Sequence, residues 1–98
     1  MRRRSPIDVM GVILKAANER RGIAKNRLMF KTFLGYAQLK GYLPVLTERG
    51  LLRYDRNAQT FKTTRKGLRF LAIYSRLYEI MRSIPSPIQH QQQFHNTL

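Results

Sequence analysis

The chain has 98 residues, of which 19 are Lys or Arg and 5 are Asp or Glu, giving a formal net charge of +14. That length suits one domain with one modest core, and a hydrophobic content of 43% lets the body fold. The absence of cysteine excludes disulfides and thiolate metal sites, and no uninterrupted apolar stretch reaches the length of a membrane span. A compact domain this basic repels itself and calls for a polyanionic partner. Nucleic acid is the first candidate, because each neutralised phosphate releases condensed counterions. The basic residues crowd into the first two thirds of the chain; only Arg69, Arg76 and Arg82 follow Lys66. The start Met1-Arg2-Arg3-Arg4 has the charge of a secretory n-region, but no apolar h-region or small-residue cleavage site follows. The expected location is therefore cytoplasmic, associated with the nucleoid, and with no lipidation motif a membrane is not an expected partner.

Ser5-Pro6-Ile7-Asp8 reads as a helix start. Ser5 caps, Pro6 fits the first helical position, and Asp8 completes a short capping box. Ile7, Met10, Ile13, Leu14 and Ala17 follow at helical spacing, with Val9 and Ala16 widening the stripe; Asp8, Gly11, Lys15, Asn18 and Glu19 fall on the other face. Arg20-Arg21-Gly22 is the expected end of this helix, with Gly22 as a left-handed stop. A short second helix spans about Ala24 to Lys31, with Leu28 inward and Met29 or Phe30 beside it. Thr32-Phe33-Leu34-Gly35 is a tight connection. A third helix runs from about Tyr36 to Arg49, with Leu39, Tyr42, Leu43 and Leu46 as its buried stripe and Gly50 closing it.

The period then changes. Leu51-Leu52-Arg53-Tyr54 and Thr60-Phe61-Lys62-Thr63 read as two strands joined by the turn-rich Asp55-Arg56-Asn57-Ala58-Gln59, a hairpin. Thr63 or Thr64 caps a fourth helix from about Arg65 to Ser83, which Ile84-Pro85-Ser86-Pro87 stops. The tail that follows is uncharged apart from its histidines, rich in glutamine, and expected to be disordered. The expected organisation is a basic arm (1–5), a winged helix domain (6–64), a dimerisation helix (65–84) and a tail (85–98). The fold class is α+β, mainly α: the order helix, helix, tight turn, helix, hairpin, long helix in a small basic chain is that of a winged helix-turn-helix.

The sequence resembles the small archaeal winged-helix DNA-binding proteins, including the Sulfolobus chromatin-associated type. The resemblance covers roughly Arg4 to Met81. It rests on Arg4-Ser5-Pro6-Ile7-Asp8-Val9-Met10, Lys25-Asn26-Arg27-Leu28-Met29-Phe30-Lys31, Tyr36-Ala37-Gln38-Leu39-Lys40-Gly41-Tyr42-Leu43, Glu48-Arg49-Gly50-Leu51-Leu52 and Phe61-Lys62-Thr63-Thr64-Arg65-Lys66-Gly67. No single string is diagnostic; their order and spacing together carry the likeness. It implies a DNA-binding dimer joined by its C-terminal helices as an antiparallel coiled coil. Three positions depart from the pattern: Gly35 replaces a capping side chain, Arg65 stands where an acidic residue is common, and Pro44 lies inside the third helix.

The outward side of the third helix carries Ala37, Lys40, Gly41, Pro44 and Glu48, with Tyr36 at its rim and Gln38 pointing sideways. It holds no Arg or Asn for bidentate base contacts, so weak sequence preference and strong dependence on phosphate are expected. Candidate phosphate contacts are Lys25, Arg27 and Lys31 on the second helix and Arg53, Arg56, Asn57 and Lys62 on or near the wing. Arg2, Arg3 and Arg4 form an arm suited to a minor groove. On the fourth helix Phe70, Ile73, Tyr74, Leu77, Ile80, Met81 and Ile84 form a heptad-like seam, and Leu71 and Tyr78 widen the arc beyond what docking on its own domain needs. A homodimer is the simplest second partner.

Enzyme chemistry is not expected. Asp8, Glu19, Glu48, Asp55 and Glu79 are scattered, His90 and His95 lie in the polar tail, and no Gly-rich phosphate loop or catalytic triad appears. No cofactor and no metal are expected. Two readings remain: a dimeric binder of double-stranded DNA, acting as a transcriptional regulator or chromatin protein, or a winged-helix interaction module that docks an acidic protein.

Overall fold

The computed structural model describes residues 5–83. Helix α1 (Pro6–Ala16) begins where its residues dictate: the Asp8 N–H donates to the Ser5 hydroxyl at 3.1 Å, and the Ser5 N–H donates to the Asp8 carboxylate at 3.3 Å. Two otherwise orphaned donors are satisfied reciprocally, and Pro6 sits where its missing N–H costs nothing. The expected stripe is buried except at its start, with Ala17 inside and Met10 packed against the core, and the buried face is wider than expected because it takes in Gly11. Val9, Gly11, Ile13, Leu14 and Ala16 are buried, whereas Ile7 is half exposed. The reason is that α1 is covered on two sides, and Gly11 lets the Tyr74 ring lie directly on its backbone; a Cβ there would stand 2.9 Å from Tyr74 Cε2. The helix also ends earlier than expected, at Ala16 with Ala17 as its cap. Gly22 does take the left-handed φ of 76°, but it turns the loop toward Ile23 instead of closing the helix.

Helices α2 (Lys25–Thr32) and α3 (Tyr36–Glu48) form the helix-turn-helix. Leu28 and Thr32 are buried in α2, and Leu39, Leu43 and Leu46 in α3, with Tyr42 half buried beside them. Thr32 organises the turn between them. Its hydroxyl donates to the Leu28 carbonyl at 2.7 Å and accepts from the Leu34 N–H at 3.3 Å. Phe33 caps α2 in the left-handed conformation, φ 59° and ψ 25°. The chain stays helical through Pro44.

Strands β1 (Leu52–Asp55) and β2 (Thr60–Thr63) pair antiparallel, Leu52 opposite Thr63 and Asp55 opposite Thr60. At the tip the Asp55 carboxylate accepts from the N–H groups of Asn57 and Ala58 at 2.9 and 3.2 Å, an Asx-type turn. The sheet gains an extra rung: Ile23 and Phe61 exchange both backbone hydrogen bonds at 2.8 Å. The buried Thr63 hydroxyl donates to the Leu14 carbonyl at 2.6 Å and anchors the wing to α1.

Helix α4 (Arg65–Arg82) starts at Thr64, whose hydroxyl accepts from the Gly67 N–H at 3.0 Å and donates to the Gly50 carbonyl at 2.6 Å. Gly67 is buried where a Cβ would run into the Leu51 carbonyl oxygen. The core is one cluster of Val9, Ile13, Leu14, Ala17, Ile23, Leu28, Leu39, Leu46, Leu52 and their neighbours. Phe70 and Leu71 pack against it from α4, and the Tyr74 hydroxyl donates to Asp8 at 2.9 Å.

Candidate nucleic-acid interface

Two lysine side chains, one from the start of α2 and one from α3, converge on Tyr36 at the start of α3. The Lys25 ammonium lies 5.0 Å from the centre of its ring and the Lys40 ammonium 5.8 Å. Both are within the range where a cation is drawn to an aromatic face, and all three side chains remain exposed. No side chain caps α3, and a Cβ built at Gly35 meets nothing within 4 Å, so the approach to the first-turn N–H groups is open. Backbone donors aligned with a helix dipole favour an anion at this position.

The rest of the exposed surface of α3 is smooth. Ala37, Gln38, Gly41, Pro44 and Glu48 are all exposed, and a Cβ at Gly41 would also meet open space. Beside it lies an open groove of about 740 Å³ between α2, α3 and the hairpin, lined by Lys25, Asn26, Pro44, Glu48, Tyr54 and Phe61 among others. Tyr54 and Phe61 form its aromatic wall, with ring centres 4.8 Å apart. Arg53, Arg56 and Asn57 stand exposed on the hairpin. Lys62 is half buried, and its ammonium donates to the Arg20 carbonyl at 2.7 Å, which ties the hairpin to the loop after α1.

The basic residues of α2 are not equivalent. Glu19 accepts from the Lys31 ammonium at 2.6 Å and lies 3.7 Å from the Arg27 guanidinium. The Lys31 hydrogen bond holds the Glu19 carboxyl below its ordinary range, with the Lys31 and Arg27 charges adding to the effect. Lys31 also donates to the Ala16 carbonyl at 3.3 Å, so it closes the end of α1 onto α2. Glu19 had no distinguishing signal in the sequence, because its partners lie 8 and 12 residues away on another helix.

On α4 the apolar arc divides. Phe70 and Tyr74 turn toward the domain, whereas Ile73, Leu77, Ile80 and Met81 are more than half exposed, as is Tyr78. Arg2, Arg3, Arg4 and Ile84 lie outside the described residues. Among the described residues no helix is long and apolar enough to cross a membrane, and no three His, Asp or Glu side chains cluster to hold a metal ion.

A family model described as winged helix-turn-helix matches residues 3–82, a span that takes in the three-helix body, the hairpin and α4. The chain belongs to the winged helix-turn-helix family. No curated protein matches it in sequence. Membership makes DNA binding the general class of activity for this winged helix-turn-helix protein.

Proposed function

We propose that this chain is a dimeric double-stranded DNA-binding protein of modest sequence preference, a transcriptional regulator or a chromatin-associated protein of the nucleoid. The observation that carries this reading is the Lys25–Tyr36–Lys40 cluster at the open N-terminus of α3, beside an outward face with little on it to read base edges. Lys40 and Lys25 meet phosphates, Tyr36 lies against the backbone or a thymine methyl, and Gln38 is the one amide nearby. Arg27 and Lys31 on α2 and Arg53, Arg56, Asn57 and Lys62 on the hairpin extend the phosphate track. Arg2, Arg3 and Arg4 supply an arm for the minor groove. The exposed Ile73, Leu77, Ile80 and Met81 favour pairing of two copies along α4, with Phe70 and Tyr74 at the inner edge of that seam. Ile84 continues it in sequence.

Titration of random and genomic duplexes at several salt concentrations tests the reading. The dimer is expected to show a log–log slope of roughly −5 or steeper, because each phosphate contact contributes about −0.9. A flat salt dependence, or footprints confined to one sequence, refutes it.

A further inference from the structure

The two most exposed large apolar side chains among the described residues are Phe33 at 90% and Phe30 at 83%. They are three residues apart on the outer side of the helix-turn-helix. Phe33 also holds the left-handed conformation, which a bulky side chain adopts only against steric resistance. Water-exposed rings and a disfavoured backbone conformation both work against the isolated fold. The turn that holds them is nonetheless firmly built, since Thr32 ties it at both ends through Leu28 and Leu34. Tyr36, half exposed, follows at the same spacing. The sequence between Arg21 and Thr47 contains no acid; Lys25, Arg27, Lys31 and Lys40 surround the rings in sequence, with Arg27 and Lys31 sharing the Glu19 carboxylate and Lys25 and Lys40 flanking Tyr36.

We propose that Phe30 and Phe33 form a stacking platform for unpaired nucleobases, so that the protein binds single-stranded or locally melted DNA as well as duplex. This rests on the DNA-binding reading above. Charge complementarity selects the occupant: a ligand that satisfies cations and exposed rings together must offer both phosphates and aromatic faces. A second copy of a chain with net charge +14 brings repulsion to this basic face instead. Intact duplex hides its base faces within the stack, so outward-pointing rings meet them only where bases are unpaired.

Fluorescence anisotropy of the full chain with an oligo-dT strand and with a duplex of equal length tests the assignment, using wild type, Phe33→Asn and Phe30→Ser. Asn takes the left-handed conformation readily, so Phe33→Asn keeps the fold, and its thermal midpoint should hold or rise. Each variant should lose roughly ten-fold or more in affinity for oligo-dT while duplex affinity changes little, given the worth of one base–aromatic stack. Equal losses on both forms, unchanged oligo-dT binding, or a wild type that binds duplex alone overturns the platform and leaves the DNA-binding reading standing. Loss of self-association in sedimentation, with oligo-dT binding unchanged, assigns the rings to a second copy and also overturns it. A wild type that binds neither form refutes both this assignment and the DNA-binding reading.

Discussion

The same substitution, Gly to Ala, should have opposite effects at two positions of this fold. At Gly41, on the outer face of α3, a Cβ meets nothing within 4 Å. The only change is the gain in helix propensity and the reduced freedom of the unfolded chain, about 0.5–1 kcal/mol of stabilisation. At Gly11, inside α1, a Cβ would stand 2.9 Å from Tyr74 Cε2 and 3.1 Å from Cδ2. The ring cannot retreat freely, because its hydroxyl is bonded to Asp8 at 2.9 Å. Overpacking of this kind costs about 1–3 kcal/mol, and weakening the hydrogen bond adds about 0.5–1.5 kcal/mol. These terms exceed the propensity gain, so Gly11→Ala should be a net loss of about 2 kcal/mol at the middle of these ranges. For a domain of this size, thermal melts should show Gly41→Ala rising by about 2–8 °C and Gly11→Ala falling by about 5–15 °C. In a Tyr74→Ala background Gly11→Ala should cease to destabilise, because the pair is coupled only through the ring. If both substitutions shift the midpoint in the same direction, or if the loss at Gly11 persists without Tyr74, the packing of α4 on α1 is not as described.

Two further outcomes follow from the charge pattern and from α4. Glu19→Gln should release Lys31 and Arg27, raising duplex affinity and steepening its salt dependence, since a competing carboxylate is removed. It should also alter the acid limb of stability. The Glu19 carboxyl is lowered in the folded state, so its contribution is present above the ordinary carboxylate range and disappears as pH falls through the lowered value. Urea melts across that range should show wild type losing this increment and Glu19→Gln lacking it throughout. Leu77→Asp, at a half-exposed position outside the core, should leave the monomer fold intact and yield monomers in sedimentation at tens of micromolar. DNA affinity should fall with it; an unchanged sedimentation coefficient, or a monomeric wild type, removes α4 as the dimer seam.

Much of the fold was readable locally. The Ser5-Pro6-Asp8 start, the second strand from Thr60 to Thr63 and the beginning of α4 at Arg65 are settled by residues within a few positions of one another; of the two threonines that could cap α4, the structure uses Thr64. The stripe Leu39, Leu43, Leu46 was legible because one face of α3 is buried and the other is bare. Where the local pattern and the structure differ, a distant contact decides. Gly11 looked like a solvent-facing position by its spacing, yet it is buried because Tyr74, 63 residues on, uses its missing side chain. Gly22 has the left-handed backbone expected of a helix stop, but α1 ends at Ala16. The candidate cations were visible as residue types; their grouping around Tyr36, and the engagement of Lys31 by Glu19, were not.

The sequence by itself determined the element order, the capped start of α1, the hairpin and the strong positive charge, because these depend on backbone preference, periodicity and ionisation within a short stretch of chain. Only the tertiary structure decided how the wide apolar arc of α4 is shared, with Phe70 and Leu71 against the core and Leu77 left outside. It alone decided that Ile23 would find Phe61 across 38 residues. Periodicity says that a face is apolar, but which neighbour covers it depends on how whole elements pack, and that packing is settled over the entire chain at once.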